Sequence, residues 1–97
     1  MRVGIFEEHA VTIGMEPIEV VYGRGNDVVW FVCLDCRENR EYGLVVFDSR
    51  GRALVMPNFD EEEAREKPIH IMRYEGGVMV NGLPAQRDSR LDMRAQQ

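Results

Sequence analysis

Along much of the chain, apolar and polar residues alternate with a period of two, the pattern of strands that turn one face to a core. Val3 and Ile5 follow it, as do Val11 and Ile13, and then Ile18, Val20 and Tyr22. Between the first two pairs, Glu7-Glu8-His9 reads as a polar turn. Gly23-Arg24-Gly25-Asn26-Asp27 offers several positions that tolerate positive φ, so the chain can reverse there. Val28 to Leu34 is apolar at seven consecutive positions, which predicts a central strand covered on both faces, with Trp30 and Phe31 pointing opposite ways. Asp35 to Glu41 is charged and reads as a loop. Tyr42 to Phe47 and Ala53 to Met56 follow as strands around the turn Asp48-Ser49-Arg50-Gly51.

The pattern changes after Pro57. Asn58 with Glu61, or Asp60 with Glu63, has the spacing of a capping box, and the acids between suit the positive end of a helix dipole. Pro68 limits that helix to about two turns. Its apolar residues are Phe59 and Ala64, so Phe59 reads either as the staple that holds the helix down or as an exposed anchor for a partner. Ile69 to Tyr74 reads as a strand. Val78 to Leu83 carries Asn81-Gly82, the residue pair that suits a type I′ hairpin turn, and Pro84 keeps the returning strand short or at an edge. Ala85 to Gln97 is polar and reads as a terminal helix or tail; as a helix it places Arg87, Arg90 and Arg94 on one face.

These elements predict an α+β, mainly β fold: an antiparallel sheet or small open barrel built on a meander, one short acidic helix and a C-terminal helix or tail. At 97 residues this is one domain. The β-rich part is expected over residues 1–84, with residues 85–97 as the polar C-terminal segment. A chain of this size has a thin core and little room for an enclosed substrate pocket. The apolar stretch at the start runs into Glu7 and Glu8 and is too short for a signal peptide, and no run approaches the roughly 20 residues that cross a bilayer. A cytoplasmic location and no membrane contact are therefore expected.

Charge refines this picture. The formal net charge is −5, which counts against non-specific nucleic-acid binding. It is uneven: residues 1–34 and 58–75 each carry −3, residues 35–57 are neutral, and residues 76–97 carry +1. Connections in a meander alternate between the two ends of the sheet, which gathers Arg24, Arg50 and Arg52 on one rim. Arg37 and Arg40 then lie near the acidic helix, within reach of Glu61, Glu62 or Glu63. The acidic segments read first as solvated faces and second as a face that docks on a basic partner.

Cys33-Leu34-Asp35-Cys36 has the spacing that clips a metal ion, but a structural zinc needs four ligands. Neither a second such pair nor a His pair is present, and His9 and His70 lie far apart in sequence. The loop after Cys36 is too short for the helix that a thioredoxin-like redox site requires. Cys33 therefore reads as a core residue and Cys36 as a loop residue. No Gly-x-Ser-x-Gly elbow and no complete dinucleotide loop occurs.

The expected function is that of a small non-enzymatic binding module without a cofactor. It would be a regulator or inhibitor docking on a larger protein through Phe59, Asp60, Glu61, Glu62 and Glu63 or the Arg24, Arg50 and Arg52 rim. Such a chain suits a host-directed protein of a phage or mobile element. Edge strands and the Asn81-Gly82 hairpin offer routes to a homodimer. Two alternatives stand beside it: a metal- or thiol-dependent protein using Cys33 and Cys36, and nucleic-acid binding through the Arg rim.

Overall fold

The computed structural model describes residues 3–22, 25 and 28–93. Helix α1 (Val3–Thr12) comes first. Strands β1 (Met15–Tyr22), β2 (Val28–Asp35), β3 (Leu44–Asp48) and β4 (Ala53–Met56) then form the meander, each antiparallel to the one before. Helix α2 (Glu61–Glu66) leads to β5 (Ile71–Tyr74), β6 (Gly77–Val80) and β7 (Leu83–Pro84). Strand β8 (Gln86–Arg87) and a 3-10 turn at Ser89–Leu91 follow. The main sheet has the order β1-β2-β3-β4-β8, and β5-β6-β7 make a second sheet. Both are open, so the fold is mainly β, α+β, with sheets in place of a barrel.

The opening segment is a helix, where alternation predicted two strands and a turn. Phe6 and Ala10 are buried, and Val3 and Ile13 are partly buried against the same cluster. That stripe has helical spacing. Ile5 and Val11, the other halves of the alternating pairs, face outward at 48% and 67% exposure. Glu7, Glu8 and His9 therefore lie within α1. Gly14, at φ 82°, ends the helix, its N–H bonded to the Val11 carbonyl.

The central strand β2 is covered on both faces, as its composition predicts. Trp30, Val32 and Leu34 join a core with Leu44, Val46 and Met56 beneath α2 and the small sheet. Phe31 and Cys33 join a second core with Val45, Phe47 and Val55 beneath α1. The layers are α1, the main sheet, and then α2 with the small sheet. Phe6 stacks on Phe31 with ring centroids 5.6 Å apart, and Arg73 of β5 lies 4.9 Å over the Trp30 ring.

The acidic helix is short, as expected, with Asp60 as its N-cap: the carboxylate accepts from the Glu62 and Glu63 N–H groups. The chain enters it over Gly43. A Cβ at Gly43 would stand 2.7 Å from both the N and the O of Phe59. Gly43→Ala is therefore expected to cost about 2 kcal/mol by displacing the Phe59 backbone, measurable as a lower urea midpoint. Asn81 (φ 49°) and Gly82 (φ 81°) form the predicted left-handed pair between β6 and β7.

The polar segment after Pro84 is not a terminal helix through Met93. Gln86 and Arg87 pair with Val55 and Leu54 at the edge of β4, and Leu91 is buried. Asp92 accepts from the Ala53 N–H at 2.8 Å, and His9 Nε2 donates to the Leu91 carbonyl at 2.8 Å. The expected stripe of Arg87, Arg90 and Arg94 is absent for its first two members, which pair at the surface with Asp92 and Asp88; Arg94 lies outside the described residues. No helix among the described residues is long and apolar enough to cross a membrane.

Candidate docking surface

The small sheet turns one face to the core and the other to solvent. Ile71, Val78 and Val80 face inward and pack in the first core. In an antiparallel ladder directly opposed residues share a face, and successive residues alternate. Met72 opposes Met79, and Met79 opposes Pro84, so these three form a cross-strand row on the outer face. Met72 is 66% exposed and Tyr74 44%. Leu83, at the β7 edge, is also exposed.

Beside this face runs a groove of about 390 Å³ between the two sheets, lined by Val21 of β1 and by Ile69, His70, Ile71, Met72 and Met79. Both β1 and β5 are edge strands of their sheets. Their approach is fixed by a Glu19 carboxylate oxygen that accepts from the Ile69 N–H at 3.3 Å. A more open depression adjoins it at the hairpin tip, where Glu63 and Lys67 of the α2 region face His70, Asn81 and Gly82. The acidic helix thus borders the exposed end of the small sheet.

The acidic side chains of α2 divide into occupied and open groups. Asp60 is spent on the helix cap. Glu61 pairs with Arg40 at 3.5 Å, as the meander predicts, and with Arg65 at 3.3 Å. Arg65 also pairs with Glu16. Glu62 and Glu63 make no ion pair among the described residues. Such exposed pairs orient α2 without building the fold. Arg37 does not join the helix: it is drawn to the buried Asp35, two residues earlier.

Phe59 is 9% exposed and sits in the core beneath α2. It is the staple and not an exposed anchor, because α2 has little else to bury than Ala64. Of the expected basic rim, Arg24 lies outside the described residues. Arg52 is committed to the buried Asp48 at 2.8 Å, and Arg50 is exposed with its N–H bonded to the same carboxylate. Cys33 is buried and Cys36 exposed. Burial raises the Cys33 thiol pKa well above its ordinary value, reinforced by Cys36 and Asp35, so this sulfur stays protonated. Among the described residues no group of three or more His, Cys, Asp or Glu side chains is placed to hold a metal ion.

The exposed Met72, Tyr74 and Leu83 were not legible as surface residues. A signal was present: Ile71-Met72 and Val78-Met79-Val80 are apolar at every position, so a sheet with one buried face must expose the remainder. On the opposite side, Tyr42, Asp88, Arg90 and Glu41 form a polar clasp over the C-terminal segment. Arg90 donates to Glu41 at 2.7 Å and to Asp88 at 2.8 Å, and the Tyr42 hydroxyl bonds Asp88. The carboxylate of Asp88 and burial push the Tyr42 pKa up to about 12.

The fold and surface define a small open-sheet α+β protein with an apolar sheet face beside an acidic helix. Comparison with family models, curated proteins and solved structures finds no match.

Proposed function

We propose that the protein is a small non-enzymatic binding module that docks on a larger protein whose contact surface is basic around an apolar centre. The reading is carried by one juxtaposition. Glu62 and Glu63, which make no ion pair among the described residues, lie on α2. Glu63 lines the depression at the hairpin tip with His70, Asn81 and Gly82, at the end of the small sheet whose solvent-facing apolar face is formed by Met72, Tyr74, Met79 and Pro84. Apolar and aromatic side chains supply the buried centre of an interface, and a charged rim sets partner choice and encounter rate. Lys and Arg on the partner would complement the rim. This keeps the acidic helix of the sequence reading as the docking element and moves the apolar anchor from Phe59 to the small sheet.

The test compares two double charge reversals of equal size. Glu62→Lys/Glu63→Lys acts on the proposed rim; Glu7→Lys/Glu8→Lys acts on the exposed side of α1, across the main sheet. With a partner captured from the native host and then purified, the first variant is expected to weaken binding by about tenfold or more and to flatten its salt dependence. The second is expected to bind like the parent. Equal loss in both variants, or loss in neither, refutes the placement.

A further inference from the structure

The outer face of the β5–β6 hairpin carries an unusual set of donors. His70, Met72 and Met79 all line one groove of about 390 Å³. Met72 and Met79 are direct cross-strand partners, which sets their Cβ atoms about 4.5–5.5 Å apart. His70 lies just before β5, two residues from Met72, and lines the same groove. It is fixed there by its backbone: its N–H donates to Asn81 Oδ1 and its carbonyl accepts from the Asn81 N–H, both at 2.8 Å. The hairpin turn thus anchors the His70 backbone beside the groove that both thioethers line. His70 and Met72 are both solvent-exposed, so the donors are reachable from outside.

We propose that His70, Met72 and Met79 bind a soft monovalent metal ion of the Cu(I) class. Two thioethers and an imidazole are uncharged, polarisable donors. They match Cu(I), while Mg²⁺ and Ca²⁺ require oxygen ligands and a structural Zn²⁺ takes mainly thiolates and imidazoles. Val21 of β1 and Ile69, which line the same groove, are aliphatic. The flexible methionine side chains can turn their sulfurs toward a common point without moving the ladder. The site shares Met72 and Met79 with the proposed docking face, but it needs no partner and uses none of the carboxylates of α2, so metal binding is tested on the free chain.

The experiment is an anaerobic Cu(I) titration of the full chain against a competing chelator, with Ag(I) as a redox-silent second probe. Cys36→Ser is the background, since its exposed thiol is a competing soft ligand. One equivalent is expected to bind. The Met72 and Met79 methyl resonances should shift, while those of the buried Met15 and Met56 stay in place. Met72→Leu, Met79→Leu and His70→Gln should each lower the affinity by about tenfold or more, because even loss of an outer-shell partner costs ~10–100-fold. The Leu variants keep volume and apolar character, and unchanged thermal midpoints separate ligand loss from unfolding. Failure of the Cys36→Ser protein to bind one equivalent, or binding unchanged in the Met→Leu variants, overturns the site.

Discussion

Phe6→Ala is expected to lower stability by about 3–5 kcal/mol, the largest effect of any single change considered for this protein. Phe6 is 2% exposed and stacks on Phe31 of the central strand. Helix α1 has ten residues, too few to persist alone in water, so its structure depends on what it buries. Only Phe6 and Ala10 are fully buried, and the truncation leaves a cavity above Phe31 that Ala10 cannot fill. Ile5→Ala, next to it in sequence, is expected to change stability by no more than about 0.5 kcal/mol, because Ile5 is 48% exposed. Urea titrations of the two variants, with amide exchange through residues 5–12, measure this contrast. A strand pairing Val3 with Ile5 on one face would demand the opposite: Ile5 sensitive and Phe6 tolerant. Comparable losses in both variants would remove the helical packing argued for α1.

That contrast also shows where the sequence was ambiguous. Val3, Ile5, Val11 and Ile13 satisfy a period of two, while Val3, Phe6, Ala10 and Ile13 satisfy a helical one. Both patterns are present in the same residues, and the choice is made by a surface that lies elsewhere in the chain: Phe31, Phe47 and Val55 need a cover. Where local chemistry permits one answer, the reading was secure. Val28 to Leu34 cannot be half-exposed, Asn81-Gly82 favours a left-handed turn, and Asp60 with Pro68 bounds a helix of about two turns. The C-terminal segment had no such signal. Its polar residues look solvated, yet Arg87 and Arg90 are held by Asp92 and Asp88, and Leu91 is buried with Met93 packed beside it. The docking face was half legible: the acids of α2 stand out by composition. That Tyr74 and Met72 face water depends on which side of the small sheet the core takes, and one strand cannot specify that.

Asp35→Ala is expected to cost about 3 kcal/mol and to change how stability responds to acid. Asp35 ends β2 with its side chain 0% exposed. Its carboxylate accepts from the Arg37 N–H at 3.0 Å, from Arg37 Nε at 2.9 Å and Nη2 at 2.7 Å, and from the Tyr42 N–H at 3.3 Å. One side chain thereby closes the loop from Cys36 to Tyr42 and stations Arg37 against the Tyr42 ring. Breaking a buried pair commonly costs about 3–5 kcal/mol; the lower end applies here because Arg37 can turn its guanidinium to water. Asn at the same position retains an acceptor and should cost less than Ala. Burial on its own would raise the Asp35 pKa, but the hydrogen bonds from Arg37 and Tyr42 and the Arg37 charge outweigh it and hold the carboxyl below its ordinary range. Asp88 and Asp92 are likewise held low, by Arg90 and Arg87 respectively. In acid the unfolded chain therefore binds more protons than the folded one at these three positions, so stability rises with pH. The contribution is complete above the unfolded carboxylate pKa of about 4 and is lost as pH falls through the lower folded values. Urea midpoints of the parent should fall steeply from about pH 5 toward pH 2, and those of Asp35→Asn should start lower and fall less. An Asp35→Asn curve that runs parallel to the parent across that window would show that Asp35 is not the carboxylate whose protonation matters.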